Sequence, residues 1–231
     1  KYIANELANK GYKPGIVSRG YGGKFKETLQ VTDETSVKET GDEAQILSKL
    51  NFPFYIDRNR VRAVKKLTKD HDCDVIISDD GLQHYKMGRH IEIAVIDGKR
   101  RFGNNLTFPA GPLRESKNRL NSVDFIVNNS GPTEEDEYLM NISPSNFVHL
   151  KSGKSYSIDK WPMHNQIHAV AGLGNPGRFF DLLDKLGFDS IRHPFPDHHN
   201  FSSSDIFYLD HLPIVMTEKD ASKCKDFDNN K

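Results

Sequence analysis

Cysteine is scarce. Only Cys73 and Cys224 occur in 231 residues, and they show neither metal-site spacing nor a disulfide framework, which fits a reducing compartment. An excess of charge of either sign is also missing. Lys and Arg number 32 and so do Asp and Glu, so no global field points to nucleic acid as a partner. No uninterrupted apolar run approaches the length of a membrane span, and no stretch reads as a signal peptide. What remains is 36% hydrophobic, 28% charged and 10% aromatic, an ordinary globular composition with room for one large domain or two small ones.

An opening methionine is lacking too. Ile3, Leu7 and Ala8 follow helical spacing from the first residues, so the chain reads as starting inside a helix that stops at Lys10-Gly11. A strand and a turn are expected ahead of it.

The most informative stretch is Asp74-Val-Ile-Ile-Ser-Asp-Asp-Gly-Leu-Gln-His84. Val75, Ile76 and Ile77 read as a buried strand of a parallel sheet that stops abruptly at Asp79-Asp80-Gly81. Strand ends are where open α/β sheets bind ligands, and two adjacent carboxylates repel unless a cation or proton lies between them. Oxygen-rich sites of this kind suit Mg²⁺ with substrate phosphates, the Walker B arrangement of P-loop enzymes. Asp-Asp-Gly is also good turn chemistry, so a surface turn stands beside the metal reading. Gln83 and His84 just beyond, both able to hydrogen-bond a ligand, favour a site.

Other segments take their place around it. Pro14 to Ser18 is a short strand delivering Ser18-Arg-Gly-Tyr-Gly-Gly23. That loop is either a flexible turn or a ligand loop, its glycines allowing close backbone approach and its Arg gripping phosphate or carboxylate. Gly41-Asp42-Glu43 opens a helix with Ala44, Ile46, Leu47 and Leu50 mostly on one face, and acids at a helix start are also common for dipole reasons. Phe52 to Ile56 is a strand and Arg58 to His71 a basic amphipathic helix. Ile91 to Asp97 and Asp124 to Asn128 are further strands, separated by an irregular 98–122 rich in Gly, Pro and basic residues, long enough to suggest function. Gly131 to Asp136 reads as an acidic link, and Phe147 to Leu150 with Ser155 to Ile158 as a hairpin.

A second lobe opens with the strand Ile167 to Ala171, then Gly172-Leu-Gly-Asn-Pro-Gly177 and a helix from Arg178 to Leu186. This matches the dinucleotide fingerprint G-x-G-x-x-G. The acid about twenty positions on, Asp197, falls in the loop Phe195-Pro-Asp-His-His199 rather than at a strand end, which weighs against a dinucleotide. For Asp197-His198-His199 metal ligation, general-base help and a plain turn all remain open. Pro213 to Asp220 is a last strand ending in polar residues, and the Asp/Asn/Lys-rich end after it is expected to fray.

Taken together, Ser18-Arg-Gly-Tyr-Gly22, Gly41-Asp-Glu43, Asp79-Asp-Gly-Leu-Gln-His84, Arg100-Arg-Phe-Gly103, Pro109-Ala-Gly-Pro-Leu-Arg-Glu115, Ala171-Gly-Leu-Gly-Asn-Pro176 with Arg178-Phe-Phe180, Phe195-Pro-Asp-His-His199 and Met216-Thr-Glu-Lys-Asp220 resemble the tetraacyldisaccharide 4'-kinase family of lipid A biosynthesis across nearly the whole chain. The resemblance implies an α/β fold: a P-loop NTPase-like parallel sheet flanked by helices, with a smaller second α/β lobe joined by a two-stranded linker. The expected division is a kinase lobe at 1–146, a linker at 147–160 and a C-terminal lobe at 161–231. It implies transfer of the ATP γ-phosphoryl group to a hydroxyl of a lipid-linked glucosamine disaccharide at the cytoplasmic face of the inner membrane. ATP and Mg²⁺ are the implied cofactors, and the membrane is met peripherally, with the basic loop near Lys99 helping on an anionic bilayer.

By the same resemblance Asp42 is the base and His198 its hydrogen-bonding partner, paired on lobe closure. Asp79, Asp80 and Glu43 hold the metal. Arg19, Tyr21, Gln83, His84 and Arg114 face the acceptor, and Thr217 to Asp220 is a candidate for facing the nucleotide base. The family's G-x-x-x-x-G-K-[ST] loop and membrane-associated helix belong before Lys1, so residues 1–231 alone are expected to bind ATP poorly and to be inactive. Two other classes stand as alternatives: an inactive nucleotide- or lipid-binding module, and an NAD-dependent oxidoreductase using Gly172 to Gly177.

Overall fold

The computed structural model describes residues 1–224 and 227. By contacts the chain separates into two compact units, Lys1–Asp79 with Ser145–Lys231, and Asp80–Pro144.

The first unit holds a four-stranded sheet in the order β2-β3-β1-β4, built from β1 (Pro14–Ser18), β2 (Leu29–Gln30), β3 (Phe54–Ile56) and β4 (Val75–Ser78). β1 runs parallel to both β3 and β4, and only the two-residue edge strand β2 is antiparallel. Alternation along the strands sends side chains to opposite faces. Ile16, Phe54 and Ile56 pack on one face with Ala4 of α1 (Tyr2–Asn9) and with Ala44 and Leu47 of α3 (Asp42–Ser48). Val17 and Tyr55 pack on the other with Ala63 and Leu67 of α4 (Arg60–Asp70). Each such buried apolar side chain contributes roughly 1.5–3 kcal/mol. Gly15 makes the second layer possible, because a Cβ there would lie 2.6 Å from Leu67 Cδ2. A four-residue turn of helix, α2 (Val37–Thr40), is closed by a Ser36–Glu39 capping box just before α3.

The same unit contains the hairpin β8 (Asn146–Val148) and β9 (Ser155–Ser157), antiparallel as expected. Beyond it lies a parallel sheet ordered β11-β10-β12, from β10 (Gln166–Ala171), β11 (Asp189–Pro194) and β12 (Ile214–Met216). Ile167, Ala169 and Ala171 face α5 (Gly177–Lys185) through Phe180 and Leu183, while Val170 faces Phe201, Ile206 and Cys224. Thr217 caps the short α6 (Glu218–Ala221), accepting from the Asp220 N–H at 3.3 Å. The expected fraying of the chain end falls mostly outside the described residues.

The second unit carries a parallel sheet β5-β6-β7 from β5 (Ile93–Asp97), β6 (Phe125–Asn129) and β7 (Glu137–Met140). The acidic link after Gly131 is therefore followed by a strand that the sequence reading left out. Arg101 explains part of the ordering: it reaches Glu137 at 2.8 Å, and Asn128 donates to the same carboxylate at 2.7 Å. Together with the Glu134 N–H, these hold the Glu137 carboxyl down at about 2, Arg101 contributing most and burial opposing.

Candidate active site

The carboxyl ends of β1 and β4 lie side by side, since β1 and β4 are parallel neighbours with Val17 opposite Ser78. The loop leaving β1 is pressed against the junction before α3. Gly41, with φ at +83°, sits where an added Cβ would lie 2.0 Å from the Tyr21 carbonyl oxygen, and Gly23 meets the Glu39 carbonyl in the same way. Only glycine allows both approaches. The close packing fixes Asp42, the first residue of α3, beside the loop 18–23.

Asp42 is the centre of a three-residue constellation in the first unit. Lys223 Nζ lies 2.9 Å from Asp42 Oδ2, and His198 Nδ1 lies 3.5 Å from the same oxygen. The Asp42 side chain is 16% exposed and His198 44%. The Tyr21 ring stands 5.9 Å from the imidazole. His198 occupies the left-handed region with φ at +59°, a conformation costing a non-glycine residue about 1–3 kcal/mol unless its surroundings dictate it. Its own N–H donates to Asp197 Oδ1 at 3.0 Å. Burial pushes the Asp197 carboxyl up, but Lys219 and the His198 ring and N–H together bring it below the usual carboxylate range.

Asp79 ends β4. Its N–H donates to the Val17 carbonyl at 2.9 Å, Ser18 Oγ approaches its carboxylate at 3.5 Å, and Arg60 donates to its carbonyl at 3.0 Å. Arg60, buried at the start of α4, was not singled out from the sequence. Glu43 is exposed one residue past Asp42. Arg19 is exposed in the glycine loop.

In the second unit Asp80 pairs with Arg114 at 2.5 Å and Gln83 donates to Glu115 at 2.7 Å. Tyr85 also donates to Glu115. His84 is half-buried in the turn after Gly81. Among the described residues no three of His, Cys, Asp and Glu are grouped to hold a metal ion, so Asp79, Asp80 and Glu43 do not form a ready three-ligand cage. Magnesium rarely needs one: it is ordinarily held through one or two carboxylates, water and substrate phosphates. Asp79 beside the Ser18 hydroxyl fits that donor set.

Two further motifs meet inside the first unit. Asp220, fully buried, accepts from the Gly172 N–H at 3.1 Å and from Thr217 Oγ1 at 2.8 Å. The polar end of β12 thus turns inward to brace the glycine turn through Asp220 Oδ2. Asp197, the acid a dinucleotide reading needs for ribose, is instead ion-paired with Lys219 at 3.2 Å. Of the Lys99-Arg100-Arg101 cluster, Arg101 is turned to Glu134 and Glu137, while Lys99 and Arg100 stay exposed.

Residues 1–231 match the family model for tetraacyldisaccharide-1-P 4'-kinase. The tetraacyldisaccharide 4'-kinase of Methylobacillus flagellatus is 44% identical over 225 residues, covering 96% of this chain and 67% of that one. That of Coxiella burnetii (strain CbuK_Q154) is 46% identical over 232 residues, covering 100% and 68%. A crystal structure of LpxK from Aquifex aeolicus in complex with ATP superposes with a TM-score of 0.78 at 26% identity, over 98% of this chain and 74% of that one.

Proposed function

The chain belongs to the tetraacyldisaccharide 4'-kinase family, and from that premise we propose a mechanism in which Asp42 takes the proton from the 4' hydroxyl of a lipid A disaccharide 1-phosphate precursor. The protein is an ATP-dependent kinase of lipid A biosynthesis. The dinucleotide oxidoreductase reading of Gly172 to Gly177 is set aside with that membership.

The observation that carries the mechanism is the convergence of His198 and Lys223 on Oδ2 of Asp42. With Oδ2 occupied, Oδ1 is left to face an incoming hydroxyl. The sugar oxygen attacks the γ-phosphorus, the bond to the β,γ-bridging oxygen breaks, and ADP leaves while the hydroxyl proton passes to Asp42. His198, at the long end of hydrogen-bonding distance, steadies the carboxylate as it becomes neutral, and such contacts commonly tighten once substrate is bound. Both residues lie in one compact unit, and their pairing on closure of the lobes 1–146 and 161–231 stays part of the proposal.

A Mg²⁺ ion bound with ATP would be held by Asp79 and would neutralise charge developing on the phosphates. Asp80 is assigned to the metal as the second carboxylate of the strand-tip pair, and Glu43 by family resemblance. Arg19 and Tyr21 are assigned to the acceptor by their place in the β1 loop, as are Gln83, His84 and Arg114 by theirs in the second unit. We retain the division at 1–146, 147–160 and 161–231 as the functional lobes. Among the described residues no helix is long and apolar enough to cross a membrane. Peripheral contact with the cytoplasmic face of the inner membrane, through exposed Lys99 and Arg100 on anionic lipid, completes the proposal.

The test is ATP-dependent phosphorylation of the disaccharide 1-phosphate acceptor by protein expressed from its complete reading frame. Asp42→Ala is expected to lower kcat by about 10²–10⁴-fold. A wild type that transfers no phosphate sinks the kinase reading in favour of a binding module. A fully active variant keeps the kinase and discards the base.

A further inference from the structure

Two lysines, Lys219 of the Thr217–Asp220 stretch and Lys223, which no motif covers, hold the residues on either side of His198. They stand four residues apart, on α6 and the turn that follows it. Lys219 Nζ grips Asp197 Oδ1 at 3.2 Å, and Lys223 Nζ donates to the His199 carbonyl at 3.1 Å. The residues before and after His198 are thereby both tied to one short element. Lys223 also lies 2.9 Å from Asp42 Oδ2. Its side chain is 9% exposed and that of Lys219 is 15%. Surface lysines ordinarily keep their rotamer freedom and gain little from exposed pairing. These two have given that freedom up.

The platform beneath them is itself anchored. Buried Asp220 ties α6 to Gly172 at the end of β10. Glu218 pairs with Lys49 at 2.8 Å, where Lys49 closes the C-terminal end of α3, the helix that begins with Asp42. α6 and the turn after it therefore hold the carboxylate's own helix, the carboxylate, and both neighbours of the imidazole. A histidine in a left-handed backbone conformation keeps it only when flanking contacts dictate it.

We propose that Lys219 and Lys223 form a clamp that sets the His198 imidazole against Asp42, with Lys223 the principal positioning residue for phosphoryl transfer. The proposal rests on the assignment of Asp42 and His198 as the proton-handling pair. Lys223 fixes Asp42 Oδ2 and the chain after His198; Lys219 acts only through Asp197. Neither need touch substrate. Lys223→Met should therefore cost more than Lys219→Met, and both should act on kcat rather than on the KM for ATP.

The experiment compares wild type, Asp42→Ala, Lys223→Met, Lys223→Arg and Lys219→Met in the full reading frame, by kinetics and by the ¹⁵N signals of the His198 imidazole. Lys223→Met is expected to lower kcat about a hundredfold, the scale of a misplacement of an ångström at a reacting centre. Lys223→Arg should recover part of the loss, and the His198 Nδ1 signal should lose its hydrogen-bonded position in Lys223→Met, as it must in Asp42→Ala, and shift by less in Lys219→Met. An Asp42→Ala enzyme that is dead while Lys223→Met stays within twofold of wild type overturns the clamp and leaves the base standing. An active Asp42→Ala overturns the base, and the His198 signals then decide the clamp: an unchanged Nδ1 signal in Lys223→Met rejects it. Should Lys223→Met fail to fold, Lys219→Met decides, because the Lys219 ammonium is paired with Asp197 and not with Asp42. Unchanged kcat and unchanged His198 signals in that variant reject the clamp.

Discussion

Two Asp–His assemblies lie in the same compact unit, and the tidier one is not the one that chemistry recommends. His168 on β10 is buried, faces both oxygens of Asp210 at 3.0 Å and meets His193 Nε2 at 2.9 Å. Tyr208 stacks on the His168 ring with centroids 3.8 Å apart. With Nε2 engaged by Asp210, Nδ1 is the ring atom that meets His193. Every polar direction of that ring is spoken for. Asp42–His198 is looser at 3.5 Å, half open to solvent and held in a strained backbone. A relay with both ring nitrogens engaged can stabilise a sheet but has nothing left for a substrate. A carboxylate with one oxygen pinned and one available has.

The sharpest way to break this comparison is to delete each histidine in turn. His198→Ala is expected to reduce kcat by about a hundredfold with little change in melting temperature, because the lost side chain is largely exposed and alanine bears the same positive-φ strain as histidine. His168→Ala is expected to do the reverse. Loss of two hydrogen bonds and a stacked ring from a buried position should cost about 2–4 kcal/mol in denaturant unfolding, with kcat unchanged below the transition. If His168→Ala lowers kcat in protein that is still folded, the buried assembly belongs to the reaction and the distinction collapses.

Legibility in the sequence followed how local the determining forces are. The strands β1, β4 and β10 are readable because each is a short apolar run bounded by turn residues; β1 and β10 are buried by packing on the sheet faces, while β4, expected to be buried, is half-buried. β11 was not, since Asp189-Ser-Ile-Arg-His-Pro194 has one large apolar residue and exists because β10 offers it a parallel edge. β7 was hidden for a similar reason: Glu137 reads as one more acid of a link, and only the partner Arg101 and the buried Asn128 make it the start of a strand. At the site, glycine spacing and the carboxylate at a strand tip could be seen, while the pairing of Asp42 with His198 came from family resemblance alone. Lys223 was invisible, lying in a lysine-rich end of the chain and acquiring its role only when folding brings it to Asp42. His168 was equally hidden, since inside Ile167-His-Ala-Val-Ala171 it reads as a strand residue like its neighbours.

The smallest expected effect separates the assemblies by pH. The imidazole of His193 is held below its ordinary value of 6.5, chiefly by burial and also by the charge His168 would carry, with Asp210 opposing. A histidine depressed in the folded state binds its proton more weakly there than in the unfolded chain. Its contribution to stability is therefore whole above about pH 6.5 and is lost as the pH falls from there through the folded value. Wild-type stability should decline over that window, and His193→Gln, which can still donate a hydrogen bond to His168, should flatten the decline by less than about 1.4 kcal/mol for each unit of depression. Chemical denaturation at intervals between pH 7 and pH 5 reads the slope directly. A slope that survives His193→Gln would move the titration to another group and leave His168, His193 and Tyr208 as packing alone.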